Sequence, residues 1–156
     1  MKKLVKLLLC MTLVLALAGC GKEQKATYKM EQDMMGMTIT DTQIITAKGD
    51  KVVRMEEITE ISFADFTDEE KELAAATYDE TYGAMKDGAP DSVKMEYGLD
   101  GDVYRFTLDI DIANGDIKEL IDGGFVYATS GDAEKAIFIS FKQTCEGLEK
   151  AGYTAQ

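Results

Sequence analysis

The chain has no histidine and no tryptophan, a single proline and only three cysteines in 156 residues. Each shortage excludes something. Without histidine there is no imidazole to act as general base or metal ligand, so the commonest acid–base and zinc chemistries are closed. One proline, Pro90, cannot make a stiff linker. Cys10 and Cys20 both fall within the first twenty residues, which leaves Cys145 alone in the rest of the chain. A lone thiol forms no internal disulfide. Cations are scarce as well: 17 Lys and Arg stand against 29 Asp and Glu, a net charge of −12. Phosphate neutralisation needs a basic face, so nucleic acid is set aside as a partner. Internal repeats and low-complexity tracts are also missing.

What is present begins with the first twenty residues. Lys2, Lys3 and Lys6 precede an uncharged apolar run, Leu7 to Leu17, and small residues follow it. A charged start, a short apolar core and a small-residue exit describe a secretory signal. The run is shorter than the roughly 20 residues a membrane helix needs. Its end, Leu17-Ala18-Gly19-Cys20, looks like the lipobox of bacterial lipoproteins. That resemblance implies cleavage before Cys20 and a diacylglyceryl thioether on its sulfur, with the lipid bilayer as partner. Residues 1–19 are then a cleaved signal peptide, 20–26 the lipidated cysteine with a short polar tether, and 27–156 a single domain. Cleavage removes three lysines and no acids, so 14 basic and 29 acidic residues remain, net −15. Anionic headgroups should repel such a body. The expected location is therefore the extracytoplasmic face of the cell membrane, held there by lipid alone.

The rest of the chain reads as α+β. Thr27–Gln32, Met37–Ala47 and Lys51–Phe63 are strand-like, with "QDMMGM" and "AKGDKV" as turns; the register of these first hairpins stays open. Thr67-Asp68-Glu69-Glu70 is a capping box that starts a helix over about 67–85. A helical wheel puts Leu73, Ala74, Thr77, Tyr78, Thr81, Ala84 and Met85 inward and an acidic ridge (Asp68, Glu69, Glu72, Asp79, Glu80) outward. Val93–Leu99 and Tyr104–Ile112 alternate around Asp100-Gly101. A turn there pairs Tyr97 with Tyr104, Met95 with Phe106, Val93 with Leu108 and Glu96 with Arg105, and this hairpin is expected at the centre of the sheet. A short helix is expected over about 116–122, with Ile117, Leu120 and Ile121 inward. Short apolar stretches at Phe125–Ala128 and Ala136–Ile139 flank the turn "TSGDAEK". Ser140 and Gln143 form a second capping box, for a helix over about 140–151 with Phe141, Thr144, Cys145, Leu148 and Ala151 on one face. The expected product is an antiparallel sheet of about five to seven strands with these three helices packed on it.

Taken together, "LAGCGK", "KGDKV" at 48–52, "DIDIANGDIKEL" at 109–120, "SGDAEKAIFIS" at 130–140 and "KAGY" at 150–153 resemble the YehR-like family of small bacterial lipoproteins, a domain of unknown function. The resemblance implies an envelope lipoprotein with an α+β domain. It carries over no catalytic residue.

Other constellations are weaker. Asp109 and Asp111 suggest calcium, but an EF-hand loop begun at Asp109 places Ala113 and Asn114 at its fifth and sixth positions. Strand alternation explains both acids as a solvent face. Met30, Met34, Met35 and Met37 could hold Cu(I) through thioethers, or simply fill a core or form a turn. Cys145 lacks an activating base and turns inward. Nothing in the sequence places two carboxylates across a groove, as glycoside hydrolysis requires. Tyr78, Tyr97 and Tyr104 read as core-edge packing. The leading expectation is a non-enzymatic envelope lipoprotein that binds a protein or small ligand and carries no cofactor and no metal. The alternatives are an accessory subunit that binds metal or ligand through its acidic surface or methionine turn, and a carboxylate-dependent hydrolase.

Overall fold

A computed structural model describes residues 21–126 and 138–156. Six strands form one antiparallel sheet: β1 (Glu23–Met34), β2 (Met37–Lys48), β3 (Lys51–Ser62), β4 (Val93–Asp100), β5 (Val103–Ile110) and β6 (Thr154–Ala155). Their spatial order is β4-β5-β3-β2-β1-β6. The three helices are α1 (Asp68–Asp87), α2 (Ile117–Asp122) and α3 (Phe141–Lys150). This is the expected α+β architecture, with a sheet inside the expected strand range. Residues 1–19 and Cys20 lie outside the described residues, as does half of each of the stretches at 125–128 and 136–139.

Tight turns determine the first three strands. Asp33 pairs with Thr38 and Met34 with Met37 across the two-residue turn Met35-Gly36, where both residues have positive φ (52° and 81°). Such a mirror-image turn matches the twist of the strands it joins. Gly49-Asp50 forms a second two-residue turn between Lys48 and Lys51, with positive φ at Gly49 (61°), and a register shift at Thr46/Ala47 follows it. That bulge is why alternation alone left the register open: it transposes the two faces partway along the hairpin.

Four expectations need correction. First, residues 23–26 are not tether. Gln24 and Ala26 pair with Ala47 and Ile45, and the Gln24 amide donates to Gly49 O. β2 is long enough to pair with them, so β1 starts four residues early. Second, the β4–β5 hairpin lies at one edge of the sheet, not at its centre. β2 and β1 occupy one side of β3, so β5 takes the other and β4 is outermost. Third, its register differs by two residues. Tyr97 pairs with Phe106, Met95 with Leu108 and Val93 with Ile110, around a turn at Gly101-Asp102. A shift of two keeps every side chain on its face, so the alternation could not report it. Glu96 therefore faces Thr107, and Arg105 meets Glu60 on β3 instead.

Fourth, α1 is rotated from the wheel's expectation. Ala75 is buried, and Ala74, Tyr78 and Tyr82 pack into the core, while Leu73 and Met85 are exposed (72% and 42%). The aromatic rings decide this. Tyr82 stacks on Phe106 at 4.1 Å between centroids, and Tyr78 lies 5.1 Å from Tyr104. Rings of that size outweigh a leucine and a methionine in buried area. Gly83 permits the close approach, since a Cβ there would stand 3.3 Å from the Tyr97 hydroxyl.

The caps follow the sequence. Thr67 and Glu70 make the reciprocal capping box, and Ser140 Oγ accepts from Gln143 N at 3.2 Å. Asp50 adds what the sequence did not suggest. Its carboxylate accepts from Ser140 Oγ and Lys142 N, both at 2.8 Å, and its carbonyl accepts from Phe141 N. The β2–β3 turn thus pins the start of α3. Phe141, Cys145 and Leu148 then pack on the core, as expected, but Ala151 is exposed. β6, which the sequence did not announce, closes part of the β1 edge by pairing with Tyr28 and Lys29.

Candidate functional site

The two faces of the sheet differ in kind. On one, Tyr28, Ile45, Val93, Met95, Tyr104, Phe106, Leu108 and Ile110 form the core with the helices. Among the described residues, no helix lies over the other face. Antiparallel sheets commonly keep one face in water. Its middle holds Thr42, Ile58 and Thr107 in adjacent register, all half-buried. Toward the end where β1 begins, this open face deepens into a trough of about 840 Å³. Strand alternation places Lys25, Thr46, Arg54, Lys94 and Asp109 in it, and Asp91, Asp111 and Asn114 come from flanking loops.

Both signs of charge line the trough, and its floor is ordered. Arg54 Nε and Nη2 donate to the two oxygens of Asp109 at 2.8 Å each, a bidentate pair. Asn114 donates to both oxygens of Asp111, from its side chain at 2.7 Å and its backbone at 3.2 Å. The Asn114 side chain is the main reason the Asp111 carboxyl sits below its ordinary pKa. Asp109 and Asp111 are therefore on the solvent face, as alternation suggested, and each is engaged by neighbouring donors. Among the described residues, no group of three or more His, Cys, Asp or Glu side chains is arranged to hold a metal.

A second polar group lies on the helix-facing side. Asp41 and Gln43 on β2 pair with Thr59 and Glu57 on β3, so two carboxyls share one patch of an otherwise apolar face. Sequence reasoning missed it, because Asp41, Gln43, Glu57 and Thr59 are polar residues at alternate positions shared with the apolar ones of this face, and the partner that holds Asp41, Tyr153, is distant in the chain. Tyr153 Oη donates to Asp41 Oδ2 at 2.7 Å, and Gln43 Nε2 donates to Oδ1 at 3.2 Å. Burial raises the pKa of both carboxyls, and the Asp41 charge raises Glu57 further. A folded-state pKa above the unfolded one destabilises the fold at every pH above the folded value. The penalty fades as pH falls through that value and is gone below the unfolded one. Glu57→Gln is therefore expected to raise the melting temperature at pH 7 and leave it unchanged at pH 3. Thermal scans at the two pH values check this; equal gains at both would show that charge is not the cause.

The remaining candidates are structural in placement. Burial raises the Cys145 thiol above its ordinary pKa, which disfavours the thiolate. Tyr78, Tyr82, Tyr97 and Tyr104 stack on one another, and Tyr104 Oη donates to Asp79 at 2.7 Å. Met34 and Met35 are exposed at the β1–β2 turn (48% and 89%), and Met30 Sδ accepts from Gln32.

The described residues thus form a single antiparallel sheet with helices on one side and a charged trough on the other. The chain belongs to the family described as protein of unknown function (DUF1307), whose profile matches residues 24–154. It is 32% identical over 136 residues to the uncharacterised lipoprotein YehR of Escherichia coli strain K12, covering 86% of this chain and 85% of that protein. The solution structure of E. coli YehR superposes with a TM-score of 0.57 at 23% identity, over 85% of this chain and 91% of that one. A Streptococcus pneumoniae protein solved by NMR superposes with a TM-score of 0.50 at 16% identity, over 100% and 98%. At those identities the two structures establish the fold alone.

Proposed function

We propose that this chain is an envelope lipoprotein, anchored to the extracytoplasmic face of the membrane by acylated Cys20, that works by binding and performs no catalysis. The lipobox and the lipoprotein relative support the anchor. One observation carries the binding reading: the helix-free face of the sheet holds a trough of about 840 Å³ with fixed charges of both signs. Lys25, Lys48 and Lys94 around the Arg54–Asp109 pair suit a small ligand that carries both charge and hydrogen-bonding groups. NMR titration with a panel of amino acids, short peptides, sugars and phosphates tests it. Amides at Lys25, Thr46, Arg54 and Lys94 should shift with at least one class, and Arg54→Ala should abolish the shift. Shifts confined to Asp41 and Glu57, or none anywhere, would overturn the reading.

A second reading, a carboxylate-dependent hydrolase, draws on the Asp41–Glu57 pair with its raised pKa values. Both Asp41 oxygens already accept hydrogen bonds from Tyr153 and Gln43, which favours a structural role for the pair. Glu57→Gln raises the melting temperature at pH 7 on either reading, so a hydrolase assay of wild type and variant separates the two: activity in the wild type that is lost in the variant would favour catalysis.

A further inference from the structure

The fold gives the domain a near end and a far end relative to Cys20, on the anchor reading proposed above. Glu23 follows Cys20 by three residues, at most ~10 Å of chain. β1 then carries the backbone roughly 36 Å away, to the Met35-Gly36 turn. The far end gathers that turn, the Gly101-Asp102 turn and the start of α1. These are physically joined: Phe63 N donates to Asp102 O, Lys71 pairs with Asp102 at 2.6 Å, and the Phe66 ring lies beside Gly36.

Two properties coincide there. Met34, Met35, Leu73 and Leu99 are exposed apolar side chains (48%, 89%, 72% and 37%), and all lie on elements of this end. The same end is strongly acidic. Asp65, Glu69, Glu72 and Asp100 are exposed, and no ion pair holds them among the described residues. Among the described residues, the cations there are already committed, Lys71 to Asp68 and Asp102, and Arg105 to Glu60. By contrast, Lys22, Lys25, Lys48, Lys51, Arg54 and Lys94 stand at the near end, among acids.

We infer that the far end is a docking surface for a basic segment of an envelope protein, with the exposed methionines and leucines as its apolar contacts. Charge complementarity selects this occupant. A second copy of the chain would bring two acidic rims together, and an anionic lipid surface would be repelled. Methionine suits such a surface because its flexible thioether adapts to the partner's shape.

The test places a photo-crosslinking amino acid at position 35 of the full-length lipidated chain in source cells, with position 107 on the open face as the control. The expected adduct forms from position 35, not 107, and its cross-linked peptide carries net positive charge. Glu72→Lys with Asp100→Lys, at unchanged melting temperature, should lower its yield about tenfold, as like charges brought together do. An adduct with phospholipid, with a second copy or with an acidic peptide overturns the inference; so does one indifferent to the reversals, or none at all. Membrane fractionation of the same cells reports on the anchor separately. A charge-sensitive adduct in cells whose protein leaves the membrane would retain the docking surface and sink the anchor.

Discussion

Cys20→Ala is expected to move the protein from the membrane pellet to the supernatant after a salt wash. The argument is one of magnitude. Each buried methylene contributes about 0.8 kcal/mol, so two acyl chains contribute on the order of 20 kcal/mol, and none of the described elements offers a comparable hold. Among the described residues no helix is long and apolar enough to cross a membrane. The net charge of −15 left after removal of residues 1–19 opposes rather than assists binding to anionic lipid. Fractionation of cells that express the wild type and the variant checks the result. If Cys20→Ala protein stayed in the washed pellet, the lipid-anchor reading would be wrong. The substitution should leave the melting temperature of the domain unchanged, because the described fold begins after Cys20 and its first strand is paired from Glu23 onward.

Phe63→Ala should be the most damaging of the simple core truncations, at about 3–5 kcal/mol. Phe63 is fully buried at the junction of β3 and α1. Its ring centroid lies 5.3 Å from that of Phe66 and 6.3 Å from that of Tyr78, and Ile61, Ala75 and Tyr104 complete the cluster. This cluster is small and meets the main core through Tyr82 and Tyr97, rings already stacked on other partners, so few neighbours can relax into the space left behind. Its backbone also ties two elements together, since Phe63 N donates to Asp102 O at 2.7 Å and Phe63 O accepts from Phe66 N. Loss of the ring should therefore loosen the start of α1 as well as lower global stability. Denaturant unfolding gives the magnitude, and hydrogen exchange at Lys71–Ala75 locates it. A loss below about 1 kcal/mol would place the ring outside any essential packing, as surface substitutions are.

Much of this fold was legible in the sequence, and the illegible parts share a cause. Capping boxes are local, three residues from donor to acceptor, so Thr67 and Ser140 marked the starts of α1 and α3 correctly. Alternation is local too, and it assigned Val93, Met95, Phe106 and Leu108 to the core face. It repeats every two residues, however, so it could not distinguish the actual β4–β5 register from one two residues away. Neither could it say which strand β5 would join. Helical periodicity found α1 but misjudged its rotation, because a wheel weighs residues by type while the sheet selects by fit to Tyr97, Tyr104 and Phe106. Asp41 and Glu57 were hidden for a related reason. A carboxylate on an apolar face is stabilised by partners such as Tyr153, which lies 112 residues away from Asp41 in the chain.

The sequence by itself determined the apolar run Leu7–Leu17, the candidate lipidation site at Cys20, the acidic balance, the α+β class and the helix starts. All of these depend on neighbours within a few positions or on composition. Only the tertiary structure decided where the charge lies. A net charge of −15, counted without residues 1–19, does not say where on the body the acids and cations lie. Pairing of the twelve-residue strands places Lys22, Lys25, Lys48, Lys51 and Lys94 at the end where β1 begins, among acids, and the acids of the first turns of α1 and of the Asp100 turn at the other. Strand length and register separate the two ends by tens of ångströms, several Debye lengths at physiological salt, and neither quantity can be read from a count of residues.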